Sequence, residues 1–93
     1  MTRELHYSSK FIQLGKKVAK KYPHLKEDVK LILSLLSEDA YQPKLKPHKL
    51  KGELKDYWAC SVAYDLRIIF QITEVEGKEV ILLHSIGTHD DVY

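Results

Sequence analysis

A chain of 93 residues has room for one small domain whose core must be compact. Its 44% apolar content excludes a disordered chain, and a net charge of +2 is too weak to demand a nucleic-acid partner by itself. Cys60 is the one cysteine, so an intramolecular disulfide is excluded; no apolar signal region opens the sequence, no run reaches membrane-spanning length, and a cytoplasmic protein is expected.

Arg3 to Tyr7 alternates, with Leu5 and Tyr7 on one side, and predicts a short first strand. Ser8 or Ser9 then caps a helix, because a serine hydroxyl accepts from the exposed N–H groups of a first turn. Phe11, Leu14, Val18 and Tyr22 recur at three- and four-residue steps and share one helical face. Pro23 ends that helix, since the residue before a proline avoids the helical region. A second helix follows, with Glu27 and Asp28 suited to its positive N-terminal end. Leu25, Val29, Ile32 and Leu36 form its main stripe, and Leu31, Leu33 and Leu35 are expected to broaden it. Asp39 to Pro47 holds two prolines and predicts an extended loop.

The remainder predicts strands: Tyr57 to Tyr64, Leu66 to Thr73, and Glu79 to Ile86, with Glu76-Gly77-Lys78 as a turn. Short links between three strands favour an antiparallel meander. The expected class is α+β: a small antiparallel sheet with a two-helix hairpin packed on one face, in the order β-α-α-β-β-β, over residues 1–93 as a single domain. No repeat, low-complexity tract or linker divides it.

Strand parity locates a candidate site. Trp58, Cys60, Val62 and Tyr64 alternate with Ala59, Ser61 and Ala63. The bulky set is expected under the helices, with Cys60 as a small buried hydrophobe. The small set then floors a concave, uncovered face, and Asp65 and Arg67 continue its parity if no bulge intervenes. His48 and His89 stand at strand edges beside that face. A histidine near its ordinary pKa of about 6.5 both takes and gives a proton, although either ring can equally be a solvated loop histidine. Arg67 suits a bidentate bond to phosphate or a salt bridge to Asp65. Asp65 orients a partner or shapes a turn, and Tyr93 stacks on a base or merely packs. His6, His24 and His84 are expected to be packed or solvated, with His84 structural. Lys16, Lys17, Lys20 and Lys21 suit a solvated helix end. Lys44, Lys46, Lys49, Lys51 and Lys55 surround His48 and are expected to meet a polyanion.

Several segments together resemble a known family. Arg3 to Ser8, His48-Lys49-Leu50-Lys51-Gly52, Leu66 to Ile72, and Gly87-Thr88-His89 followed four residues later by Tyr93 are similar, in order and spacing, to segments of RelE-superfamily bacterial toxins. The chain most resembles their YafQ-type branch of ribosome-dependent mRNA interferases. The resemblance implies a RelE-like, microbial-RNase-like fold, cleavage of mRNA in the ribosomal A site without a metal or other cofactor, and a cognate antitoxin. It puts His48, Asp65, His89 and Tyr93 where the YafQ-type branch has functional residues, and Arg67 where the RelE-type branch has one. The chain departs from the pattern at Ser61, where the branch has another histidine, and at Leu66, where it has an aromatic.

The chemistry so implied is attack of a ribose 2′-OH on the adjacent phosphorus, with His48 as base, His89 as acid, Arg67 on the phosphorane, Asp65 orienting and Tyr93 positioning. Lys46, Lys49 and Lys51 would hold RNA backbone, and no membrane or small-molecule cofactor is called for. Two alternatives share the sequence features: a ParE-like toxin that blocks gyrase, and a non-catalytic module binding RNA or an acidic partner.

Overall fold

The computed structural model describes residues 2–63 and 65–88. Five strands form one sheet: β1 (Glu4–Tyr7), β2 (His48–Lys49), β3 (Trp58–Ala63), β4 (Leu66–Val75) and β5 (Lys78–Gly87). Two helices, α1 (Ser9–Lys21) and α2 (Lys26–Glu38), fill the connection between β1 and the rest. The spatial order is β1-β5-β4-β3-β2.

The local signals account for most boundaries. Ser8 caps α1: its Oγ accepts from Phe11 N–H at 3.0 Å and donates to the His84 carbonyl at 2.8 Å. One side chain therefore satisfies a helix end and ties it to β5. Pro23 closes α1 and opens a single 3-10 turn, Pro23–Leu25, that leads into α2. Glu27 and Asp28 occupy the first turn of α2, as the dipole favours. At its other end the Gln42 amide donates to the carbonyls of Leu35 and Asp39 at 2.8 and 3.0 Å. The Leu35 carbonyl also accepts from the Asp39 N–H at 2.9 Å, so the amide adds a second bond at the helix end.

β3, β4 and β5 form the expected antiparallel meander. The β4–β5 hairpin turns at Glu76 and Gly77, both at positive φ (52° and 81°), as the favoured two-residue hairpin turn demands. β1 differs: it pairs parallel to β5, with Leu5 opposite Ile81. The helical pair carries the chain from β1 to the opposite edge of the sheet, where β2 starts, and three antiparallel reversals then bring β5 alongside β1 in the same direction, so the sheet is mixed at that edge. The expected loop over residues 39–47 is bent by a 3-10 turn, Pro43–Leu45, and buries Ala40 and Leu45. It leads into β2, a two-residue strand that carries too little sequence pattern to be read in advance.

The main core lies between the sheet and the helices. Phe11, Val18, Leu25 and Leu36 meet Cys60, Ile68, Phe70, Ile81, Leu83 and Ile86. Full burial of side chains such as Leu36, Ile68 and Phe70 contributes about 1.5–3 kcal/mol each. Cys60 belongs to this layer as expected, and burial pushes its thiol up to about 12, which keeps it protonated and inert. Leu31 does not broaden the stripe of α2. It is 58% exposed, one of several large apolar side chains left in solvent. No helix among the described residues is long and apolar enough to cross a membrane.

Candidate functional site on the uncovered sheet face

Pairing sets which side chains share the face away from the helices, because residues directly opposite in an antiparallel ladder point the same way. His48 lies opposite Ala59, Ala59 opposite Ile69, and Ile69 opposite Ser85. These four form one row across β2, β3, β4 and β5. The next row is Ser61, Arg67 and Gly87. Ala59 and Ile69 form a cluster separate from the main core, so both rows occupy the uncovered side. His48 and Arg67 therefore project from one face, two strands and one row apart. Strand spacing and rise put their Cα atoms about 12 Å from each other, within joint reach of a phosphodiester lying between them. His48 is exposed and Arg67 half-buried. Gly87, opposite Arg67, adds no side chain to crowd the guanidinium.

Two bulges modify the expected parity. On β3 the register shifts between Ser61 and Ala63, and Val62 and Ala63 both pack with the main core. Ala63 thus turns from the uncovered face to the helical side, and the row of three small residues reduces to Ala59 and Ser61. On β5 the register shifts opposite the Ile69–Phe70 step, where Leu83 and Ser85 pair and His84 is the extra residue. Each bulge inserts one residue and reverses the alternation beyond it.

The floor is also more covered than expected. Leu50 and Tyr57 pack over Ala59 and Ile69, which are fully buried. The segment between β2 and β3 folds across the sheet, held by a bond from Leu50 N–H to the Tyr57 carbonyl at 3.0 Å. Gly52 makes its turn at φ +70°, a left-handed value that favours glycine. The leucine and glycine of His48-Lys49-Leu50-Lys51-Gly52 thus have structural tasks, and the histidine and lysines remain exposed. Lys46 adopts φ 49° just before Pro47, uncommon for a residue with a side chain, and redirects the chain into β2.

Asp65 follows β3 and lies two residues before Arg67. It is exposed in the β3–β4 turn and lines a recess of about 290 Å³ with Tyr22, His24, Leu25, Ala63, Leu66 and Thr88. His89 and Tyr93, the expected acid and positioning group, lie outside the described residues, as does Tyr64. Among the described residues no group of three or more His, Cys, Asp or Glu side chains could hold a metal ion.

Two side chains on this face were not singled out by the sequence. Tyr57 and His84 meet over it, ring centroids 4.8 Å apart at 57°. His84 Nδ1 lies 3.1 Å from the Oγ of fully buried Ser85, and burial, followed by the charge of Lys10, holds the imidazole below its ordinary pKa. The signal was present: His84-Ser85 puts two polar residues side by side in an otherwise apolar strand, which breaks alternation as a bulge does. His6, also expected to be packed or solvated, lies 3.1 Å from Glu4 on β1.

Comparison with known proteins agrees with this architecture. The sequence profile of a family described as a bacterial toxin of type II toxin–antitoxin system, YafQ, matches residues 3–93. The fold superposes on YafQ from E. coli strain BL21(DE3) with a TM-score of 0.82 and 22% identity, covering 98% of each chain. The E. coli DinJ–YafQ toxin–antitoxin complex gives 0.78 and 23%, covering 100% of this chain and 99% of that one. Conserved hypothetical protein HP0892 from Helicobacter pylori is 32% identical, with a TM-score of 0.65 over 98% of this chain and 99% of that one. No curated protein matches the sequence.

Proposed function

Since the chain belongs to the YafQ family of toxins of bacterial type II toxin–antitoxin systems, we propose that it is an endoribonuclease cutting mRNA in the ribosomal A site. The observation that supports this reading is the shared face of His48 and Arg67, flanked by exposed Lys46, Lys49 and Lys51. That set brings a proton acceptor, a fixed positive charge and backbone-binding cations to one surface. The reaction needs no activated water. The ribose 2′-oxygen attacks the adjacent phosphorus, the bond to the 5′-oxygen breaks, and the products are a 2′,3′-cyclic phosphate and a 5′-hydroxyl.

In this scheme His48 accepts the 2′-proton and His89 protonates the leaving oxygen, each step contributing about a hundred- to ten-thousand-fold. Arg67 stabilises the charge that accumulates on the phosphorane oxygens. Asp65 orients a partner from the β3–β4 turn, and Tyr93 positions a base or the phosphate. Ser61, directly opposite Arg67, supplies a hydroxyl where a histidine would add a third titratable ring, so proton transfer rests on His48 and His89. A cognate antitoxin is the expected partner, as E. coli YafQ is paired with DinJ, and it would silence the toxin by masking the basic segment around His48.

The test is expression from a tightly controlled promoter followed by mapping of mRNA 5′ ends. Growth arrest with 5′-hydroxyl ends confined to translated messages is expected. Arrest with intact messages and inhibited gyrase supercoiling would overturn the nuclease reading.

A further inference from the structure

The Tyr57–His84 pair has no part in the proton transfers, yet it stands on the same face as His48 and Arg67. The two rings come from different strands' ends: Tyr57 immediately precedes β3, and His84 is the bulged residue of β5. They meet over β4, where Tyr57 packs against Ile69. Apolar cover alone does not require this chemistry, because an aliphatic side chain at position 57 would shield Ile69 as well. The pair instead leaves two π-surfaces, each half-exposed, on a sheet face bordered by cations. His84 is braced from beneath: Nδ1 is engaged by buried Ser85, and its carbonyl accepts from the Ser8 hydroxyl at 2.8 Å. A ring engaged at Nδ1, on backbone tied to the start of α1, loses little freedom when something stacks on it.

Single-stranded RNA is recognised by such surfaces, with bases laid on aromatic rings of a sheet and the backbone tracked by Lys and Arg. His84 lies three residues before Gly87, the partner of Arg67, which is about 10 Å along β5. A base resting on the rings would therefore belong to a nucleotide neighbouring the phosphate at Arg67. We propose that Tyr57 and His84 form a stacking platform for an RNA base flanking the scissile phosphate. This assignment rests on the nuclease reading for its biological role, but the platform itself can be tested without cleavage.

The probe is a short, fully 2′-O-methylated single-stranded RNA containing 2-aminopurine, which cannot be cut and whose fluorescence falls when the base stacks. Titration with the full chain should give saturable quenching. Tyr57→Phe should keep it. Tyr57→Leu and His84→Leu, which retain apolar bulk at each position, should bind roughly 5- to 150-fold more weakly, as loss of one base–aromatic stack implies. Circular dichroism verifies that each variant is folded; if Tyr57→Leu unfolds, His84→Leu carries the comparison. Lys49→Gln should lower affinity without altering the quench at saturation. Wild-type protein that binds without quenching, fails to bind, or quenches no better than folded His84→Leu would overturn the platform. Quenching by a protein that leaves translated messages whole would instead sink the nuclease reading and keep the platform.

Discussion

Replacing Gly52 and Gly15 by alanine should move stability in opposite directions, and the difference follows from backbone geometry alone. A Cβ at either position meets nothing within 4 Å, so neither substitution creates a clash. Gly52 sits at φ +70°, where an L-residue costs about 1–2 kcal/mol. Gly15 lies inside α1, where alanine gains about 0.8–1 kcal/mol over glycine. In a domain of this size 1 kcal/mol shifts Tm by about 4–8 °C. Gly52→Ala should therefore melt roughly 4–16 °C below the parent and Gly15→Ala about 3–8 °C above it. Gly52→Asn should recover part of the loss, because asparagine tolerates the left-handed region. Thermal unfolding by circular dichroism, with urea melts to confirm an unchanged m-value, reads the effect. A Gly52→Ala protein as stable as the parent would show that the turn carrying Leu50 over Ile69 is not held as described.

Two further predictions concern titratable groups that the fold desolvates. Cys60 is raised from 9.0 to about 12, so between those values the unfolded chain ionises while the folded one stays neutral. The stability advantage of the parent over Cys60→Ala should shrink as pH rises from 9 to 12, by about 1.4 kcal/mol per unit, in denaturant melts. His84 is shifted down from 6.5, first by burial and then by Lys10, so the unfolded state binds its proton more readily. Its contribution is complete above pH 6.5 and falls on acidification; the parent should lose stability relative to His84→Gln between pH 7 and 5, and parallel curves would remove the partly desolvated neutral imidazole.

The sequence was most legible where one residue has one task. Ser8, Pro23 and the Glu27–Asp28 pair mark helix ends through local chemistry, and the structure uses them in that way. The meander was legible because period-two alternation survives over several residues in each strand. Three features were hidden for physical reasons. β2 has two residues and no period. The parallel pairing of β1 depends on where the helical crossover returns the chain, which no local signal encodes. The bulges at Val62 and His84 each insert a single residue, so alternation remains convincing on either side while its sense reverses. That reversal moved Ala63 out of the candidate site and turned Ser85 onto the uncovered face beside His84. His48 and Arg67 kept their shared face, because His48 is set by its pairing with Ala59 and Arg67 by its pairing with Ser61, before the β3 bulge. Leu31 shows the limit of stripe counting: a helix lying on a sheet buries a wedge, and a leucine outside that wedge stays in solvent.

Single-turnover cleavage of a message programmed in the ribosomal A site tests the central claim most directly, comparing the parent with His48→Gln and Arg67→Gln at saturating protein. The parent should release a 2′,3′-cyclic phosphate and a 5′-hydroxyl, and each variant should cut at least about a hundredfold more slowly while still binding ribosomes. Full-rate cleavage by either variant would contradict the assignment of that shared face as the site of reaction.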